Sequence, residues 1–258
     1  MNNPVNCETD RVVFWGHILP FAVWFGFIML LQTLESLSLC PRWIYPWSYA
    51  LKTFACAALF LWLKPWKVYP PFSLGHLPLT LCVGSLMAVI WILPELPAVG
   101  RAFPDLQAFY HRWLIMMPGS LPDYYNPDFY PALPPGHIAH TYMPREFGWG
   151  LTLIRLAGSA CVIAIIEEFF FRGFFYRWLR RGRFWEIPLG VFDVQSFWTV
   201  TVVFGLEHDR WFAGLLAGVA YGWLVIKTEN IWAAAIAHFI TNLLLGIFVI
   251  ISGQYGFW

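Results

Sequence analysis

Three charges stand inside an otherwise apolar stretch, Ile166-Glu167-Glu168-Phe169-Phe170-Phe171-Arg172-Gly173-Phe174. An ionised side chain near a bilayer centre costs roughly 2.5 to 3.5 kcal/mol, so two carboxylates and a guanidinium on one helix ask for a functional reason. Glu168 and Arg172 are four apart with the acid first, the favourable order for a helical ion pair. Glu167 is rotated by about 100° from its neighbour. It therefore faces elsewhere and lacks that arginine, as a general base in a dry site requires. The competing explanation is a purely structural charge cluster.

Three further polar residues reach comparable depth. His208 ends the apolar run from Thr199 to Glu207, one turn after Phe204, and His238 and Asn242 lie four apart on one face of a later apolar segment. At the helical rise, Glu167 lies ~16 Å from the basic end of its helix, His208 ~20 Å and His238 ~11 Å from the starts of theirs. Together these groups suit water activation: a glutamate and a histidine remove a proton, while a histidine and an amide hold the oxyanion. Zinc at Glu167, His208 and His238 is the metal alternative, although no His-Glu-x-x-His occurs. A proton or ion relay uses the same residue types. Glu207, Asp209 and Arg210 orient His208, form a gate, or are simply a solvated turn.

The elements that must carry these groups are membrane helices. The 258 residues are 59% hydrophobic, 20% aromatic and only 12% charged, which describes a polytopic membrane protein. Apolar windows at Val12 to Leu31, Trp47 to Leu63 and Leu74 to Leu93 precede the motif. A fourth span, Trp149 to Trp178, carries it, and Gln195 to Glu207, Trp211 to Ile226 and Ile231 to Ile251 follow. The fold class expected is an all-α transmembrane bundle of about seven spans, the shortest packed inside it. Residues 1–148 form N-terminal helices plus a loop, and residues 149–258 a catalytic helical core.

Between them, residues 94–148 form a long Pro/Tyr-rich extramembrane loop. Within it Asp105 to Met117 form a helix with Leu106, Phe109, Trp113 and Met117 on one apolar face, lying at the membrane interface. Arg177, Arg180, Arg181 and Arg183 place the end of the fourth span in the cytoplasm by the positive-inside rule, with the N-terminus inside and the loop outside. The polar, acidic start (Glu8, Asp10) does not fit a secretory signal, and Val12 onward is a retained anchor.

The other groups carry less. His17 and His76 sit near span ends as interfacial residues, and His111, His137 and His140 lie in the loop as an incomplete ligand set. Five cysteines without CxxC spacing argue against a disulfide framework. A net charge of +1 gives no field for nucleic acid.

Three motifs in order, Glu167-Glu168-Phe169-Phe170-Phe171-Arg172, Phe204 to His208 and His238 to Asn242, resemble Glu-Glu-x-x-x-Arg, Phe-x-x-x-His and His-x-x-x-Asn. These are the marks of the CAAX prenyl protease and bacteriocin-processing (CPBP, or Abi) family of intramembrane endopeptidases. The tail resembles the branch found beside exosortase and PEP-CTERM sorting systems. The resemblance covers roughly Leu151 to Ile251. It implies a bundle whose conical cavity opens to the cytoplasmic leaflet of a bacterial inner membrane, Glu167 and His208 activating water, His238 and Asn242 on the oxyanion, and Glu168 held by Arg172. It implies a peptide substrate at the membrane and a glutamate-type peptidase needing no cofactor, with a metallopeptidase as the alternative. A non-catalytic scaffold or immunity protein of this fold, and a proton-coupled transporter, are the rival functions.

Overall fold

The computed structural model describes residues 4–115 and 138–258. Five helices among them are long and apolar enough to cross a membrane: Val12–Ser36, the apolar part of α1 (Pro4–Ser36); Leu74–Glu95, built around α3 (Leu77–Ile92); α5 (Trp149–Trp178); α7 (Trp211–Thr228); and α8 (Ile231–Ser252). Two more join the bundle, α2 (Ile44–Leu63) and the 13-residue α6 (Val194–Leu206). The described residues contain no strand, and the expected all-α membrane bundle is what forms.

Local chemistry sets the ends. Lys64 closes α2 with a left-handed φ of 52° immediately before Pro65, a residue that cannot continue the helix. Asp193 and Asn230 cap α6 and α8 by accepting hydrogen bonds from the backbone N–H of Ser196 at 2.8 Å and Trp232 at 2.9 Å.

Packing relies on small residues where helices touch. A Cβ on Gly84 of α3 would stand 2.6 Å from the Ala237 carbonyl of α8, and Gly205 and Gly218 bring α6 and α7 into backbone contact through Leu215 and Thr201. Large apolar side chains such as Trp62, Leu74 and Ile251 face outward, where lipid solvates them.

Two expectations need correction, and the stretch from residue 94, which holds the expected helix, packs onto the bundle. Glu95 is buried and ion-paired to Arg210, and α4 (Pro104–Trp113) accepts a hydrogen bond from the Trp211 indole at its Trp113 carbonyl, 3.1 Å away. Leu106, Phe109 and Trp113 of α4 are exposed as one apolar side, whereas Met117 lies outside the described residues. The short α6 is not enclosed: Phe197, Val200 and Phe204 pack inward, but Trp198, Val202 and Leu206 are exposed. Its thirteen residues span only ~20 Å, short of a ~30 Å hydrocarbon core. Finally, His17 is buried, bonding to the Val13 carbonyl and the Tyr69 hydroxyl, both at 2.7 Å, because a half-polar ring fits a crevice that Phe169 and Phe184 close.

Candidate active site

The helix that carries the acidic pair is not uniform. Two π-helical stretches, Gly158–Ile163 and Phe169–Phe175, flank one α-helical turn, Ala164–Glu168. Such stretches widen a helix, leave carbonyls without their usual partner and recur at functional sites. One displaced carbonyl, that of Ser159, accepts a hydrogen bond from Asn242 Nδ2 at 2.8 Å, tying α8 to α5.

Glu168 is completely buried. Its Oε1 accepts from Arg172 Nη1 at 3.0 Å and from His238 Nδ1 at 3.1 Å, while Arg172 also donates to the Gly218 carbonyl at 3.2 Å and lies over the Phe204 ring. Because a carboxylate next to Arg172 accepts, His238 carries a proton on Nδ1, and its Nε2 is left facing Glu167 Oε2 at 3.8 Å. Tyr221 stacks on the His238 ring with centroids 5.0 Å apart, and its hydroxyl is 2.7 Å from Thr241 Oγ1. The ring is thus clamped from the face and from one edge.

His208 is oriented in the same way from the other side of the site. Its Nδ1 lies 2.7 Å from the Phe204 carbonyl, which only accepts, so Nδ1 bears the proton and the lone pair sits on Nε2. Phe204 and Trp91 wall the ring at 4.8 Å and 5.4 Å between centroids.

Glu167, His208, His238 and Asn242 line one cavity of about 450 Å³. The groups chosen from the sequence therefore meet, and Glu168, Arg172 and Phe204 stand behind them. Sequence spacing missed Tyr221, Thr241 and the Ser159 carbonyl, since a displaced carbonyl and a stacking partner leave no pattern of residue types. It also missed the wall contributed by Trp24, Gln32, Lys52 and Trp91 of α1 to α3, which share the cavity. Among the described residues no three His, Cys, Asp or Glu side chains converge closely enough to hold a metal ion.

The cavity runs from Glu167 to the end of the bundle marked by Asp209, Arg210, Phe257 and Trp258. At the opposite end sit Arg180, paired with Asp193 at 3.6 Å, and Arg181 and Arg183, both on Glu186 at 2.9 and 3.1 Å. Arg177 is buried there, bonded to the Gly173 and Ile187 carbonyls. The arginine cluster and the Asp209, Arg210, Phe257 and Trp258 lining of the cavity thus lie at opposite ends of the bundle. Depths measured from helix starts did not say which end was open.

Residues 149–244 match the family described as type II CAAX prenyl endopeptidase Rce1-like. That stretch of the chain is an Rce1-like domain. Comparison with curated proteins and with solved structures finds no match. The Rce1-like domain begins with α5 and includes Glu167, His208, His238 and Asn242, and the described residues hold five helices long and apolar enough to cross a membrane. Helices α1 to α3 precede the Rce1-like domain and close its cavity from outside the matched region.

Proposed function

We propose that the chain is an intramembrane endopeptidase in which Glu167 and His208 activate water, and that its cavity opens on the extracytoplasmic side. The observation that carries the reading is the meeting of Glu167, His208, His238 and Asn242 in one polar cavity. A water between Glu167 and His208 Nε2 gives its proton to Glu167 as its oxygen attacks the substrate carbonyl carbon, and Glu167 returns that proton to the departing amine. The second N–H of Asn242 faces the oxygen that becomes negative, and His238 donates to it from Nε2 only as the imidazolium, protonated on both ring nitrogens with Nδ1–H kept on Glu168. Glu168 and Arg172 do no bond chemistry; they hold His238. This account needs no metal, and activity that survives exhaustive chelation supports it.

The sidedness follows from charge. Lys64, Lys67, Arg180, Arg181, Arg183 and Lys227 cluster on short connections at the end away from the cavity, and the positive-inside rule places that end in the cytoplasm. A sorting or signal peptide delivered to the outer face of the membrane is the substrate class that fits.

The test uses purified protein in proteoliposomes with a pool of membrane peptides read by mass spectrometry. Wild-type protein is expected to produce new termini that Glu167→Ala and His238→Ala do not. Proton flux without cleavage overturns the reading in favour of a transporter, and a cellular role untouched by either substitution overturns it in favour of a scaffold.

A further inference from the structure

The proteolytic cavity holds a cation that the reaction above does not use. Lys52 of α2 is 6% exposed, lines the same cavity as Glu167, and has no carboxylate partner among the described residues. Its Nζ lies 4.3 Å from the Trp24 ring centre and 4.7 Å from that of Tyr49. Arg155 of α5 lines the cavity too, its guanidinium 4.3 Å from the centre of the same Tyr49 ring, and the two positive charges repel. The Nε of Arg155 and the Oγ1 of Thr53 are buried without a hydrogen-bond partner. A buried cation next to a second one, with spare donors around both, is unfavourable until an anion arrives. Aromatic faces offset part of that cost but do not accept the ammonium protons as a carboxylate does.

We infer that Lys52 and Arg155 form a subsite for a carboxylate of the substrate peptide. The inference rests on the endopeptidase reading for the word substrate, but the subsite stands on its own geometry. Thr53 packs against Gly158, which fixes the level of the subsite on α5. Nine residues separate Gly158 from Glu167, on the order of 14 Å of helix. About four residues of extended peptide cover that distance. The carboxylate is therefore borne by the chain terminus or by an acidic side chain roughly four residues from the cleaved bond.

The experiment measures binding of N-acylated apolar hexapeptides to the Glu167→Gln protein in detergent by fluorescence anisotropy, and their cleavage by the wild-type protein. Each peptide is made with a free terminal carboxylate, as the terminal amide, and as the amide carrying one internal Glu. The free acid or the Glu peptide should bind at least about tenfold more tightly than the plain amide, the ratio of one charge-assisted hydrogen bond. Which of the two wins identifies the source of the carboxylate. Adding Lys52→Met should erase the preference and raise the melting temperature, because an uncompensated buried charge is gone, whereas Lys52→Arg should keep the preference. A merely structural lysine would lower the melting temperature and leave the ratio unchanged. Equal binding of acid and amide, or a preference that survives Lys52→Met, overturns the inference. Suppression of the preference by vesicles rich in phosphatidylglycerol also overturns it, assigning the subsite to a lipid headgroup. Cleavage without any acid preference sinks the subsite alone; acid-selective, Lys52-dependent binding without cleavage sinks the endopeptidase reading alone.

Discussion

Adjacent glutamates in one helical turn have opposite surroundings, and their substitutions should fail in opposite ways. Glu168 neutralises the buried Arg172 and orients His238. Glu168→Gln is expected to leave a buried guanidinium uncompensated at a cost of about 3–5 kcal/mol, seen as a marked fall in melting temperature. Glu167, with no arginine partner among the described residues, should tolerate Gln with little loss of stability. On the proposed mechanism Asn242→Ala removes an oxyanion donor as well as the bond to Ser159; a fall in kcat of about 10²–10³ is expected, measured against an unchanged KM. The residue types of this site were legible in the sequence because charge in an apolar run is costly and therefore conspicuous. The direction of each ring was not, because it depends on carbonyls and stacking partners supplied by the fold.

At the level of elements, close backbone contacts and one docked helix carry the predictions. Gly84 lets α3 lie against the α8 backbone beside His238, with the Gly84 carbonyl accepting from Thr241 Oγ1 at 2.8 Å. Gly84→Val should overpack this contact by about 1–3 kcal/mol, lowering the melting temperature and activity together. Helix α4 is held partly by His111, which is buried beside Arg210; burial pushes its pKa down from 6.5 to about 4. The unfolded or undocked state binds the proton first, so the stability contributed by neutral His111 is present above pH 6.5 and is lost as pH falls toward 4. Hydrogen exchange of residues 104–113 should therefore quicken across that window, and exchange independent of pH after correction for intrinsic rates would contradict the docking role of His111. Helix existence was legible from hydropathy. The two π-helical stretches were not, because no composition signals them, and the burial of Glu95 was not, because its partner Arg210 lies 115 positions away.

For the whole molecule the claim is about sides. The basic connections and the cavity occupy opposite ends, so a single cysteine placed at Gly182 in an otherwise cysteine-free protein should resist a membrane-impermeant maleimide in intact cells, and one placed at Asp209 should react. The reverse pattern would turn the protein over in the membrane and give the cavity to the cytoplasm. The helix order was readable in the sequence, as was the positive-inside bias. The open end was not, since it depends on how α1 to α3 wall the Rce1-like domain. The account as a whole turns on water held by one acid. The most direct measurement is the single-turnover cleavage rate of Glu167→Gln relative to wild type, per folded molecule, on a peptide the wild type cuts. A loss of at least about 10²–10⁴ with the melting temperature preserved is the predicted result, and a rate equal to wild type would contradict it.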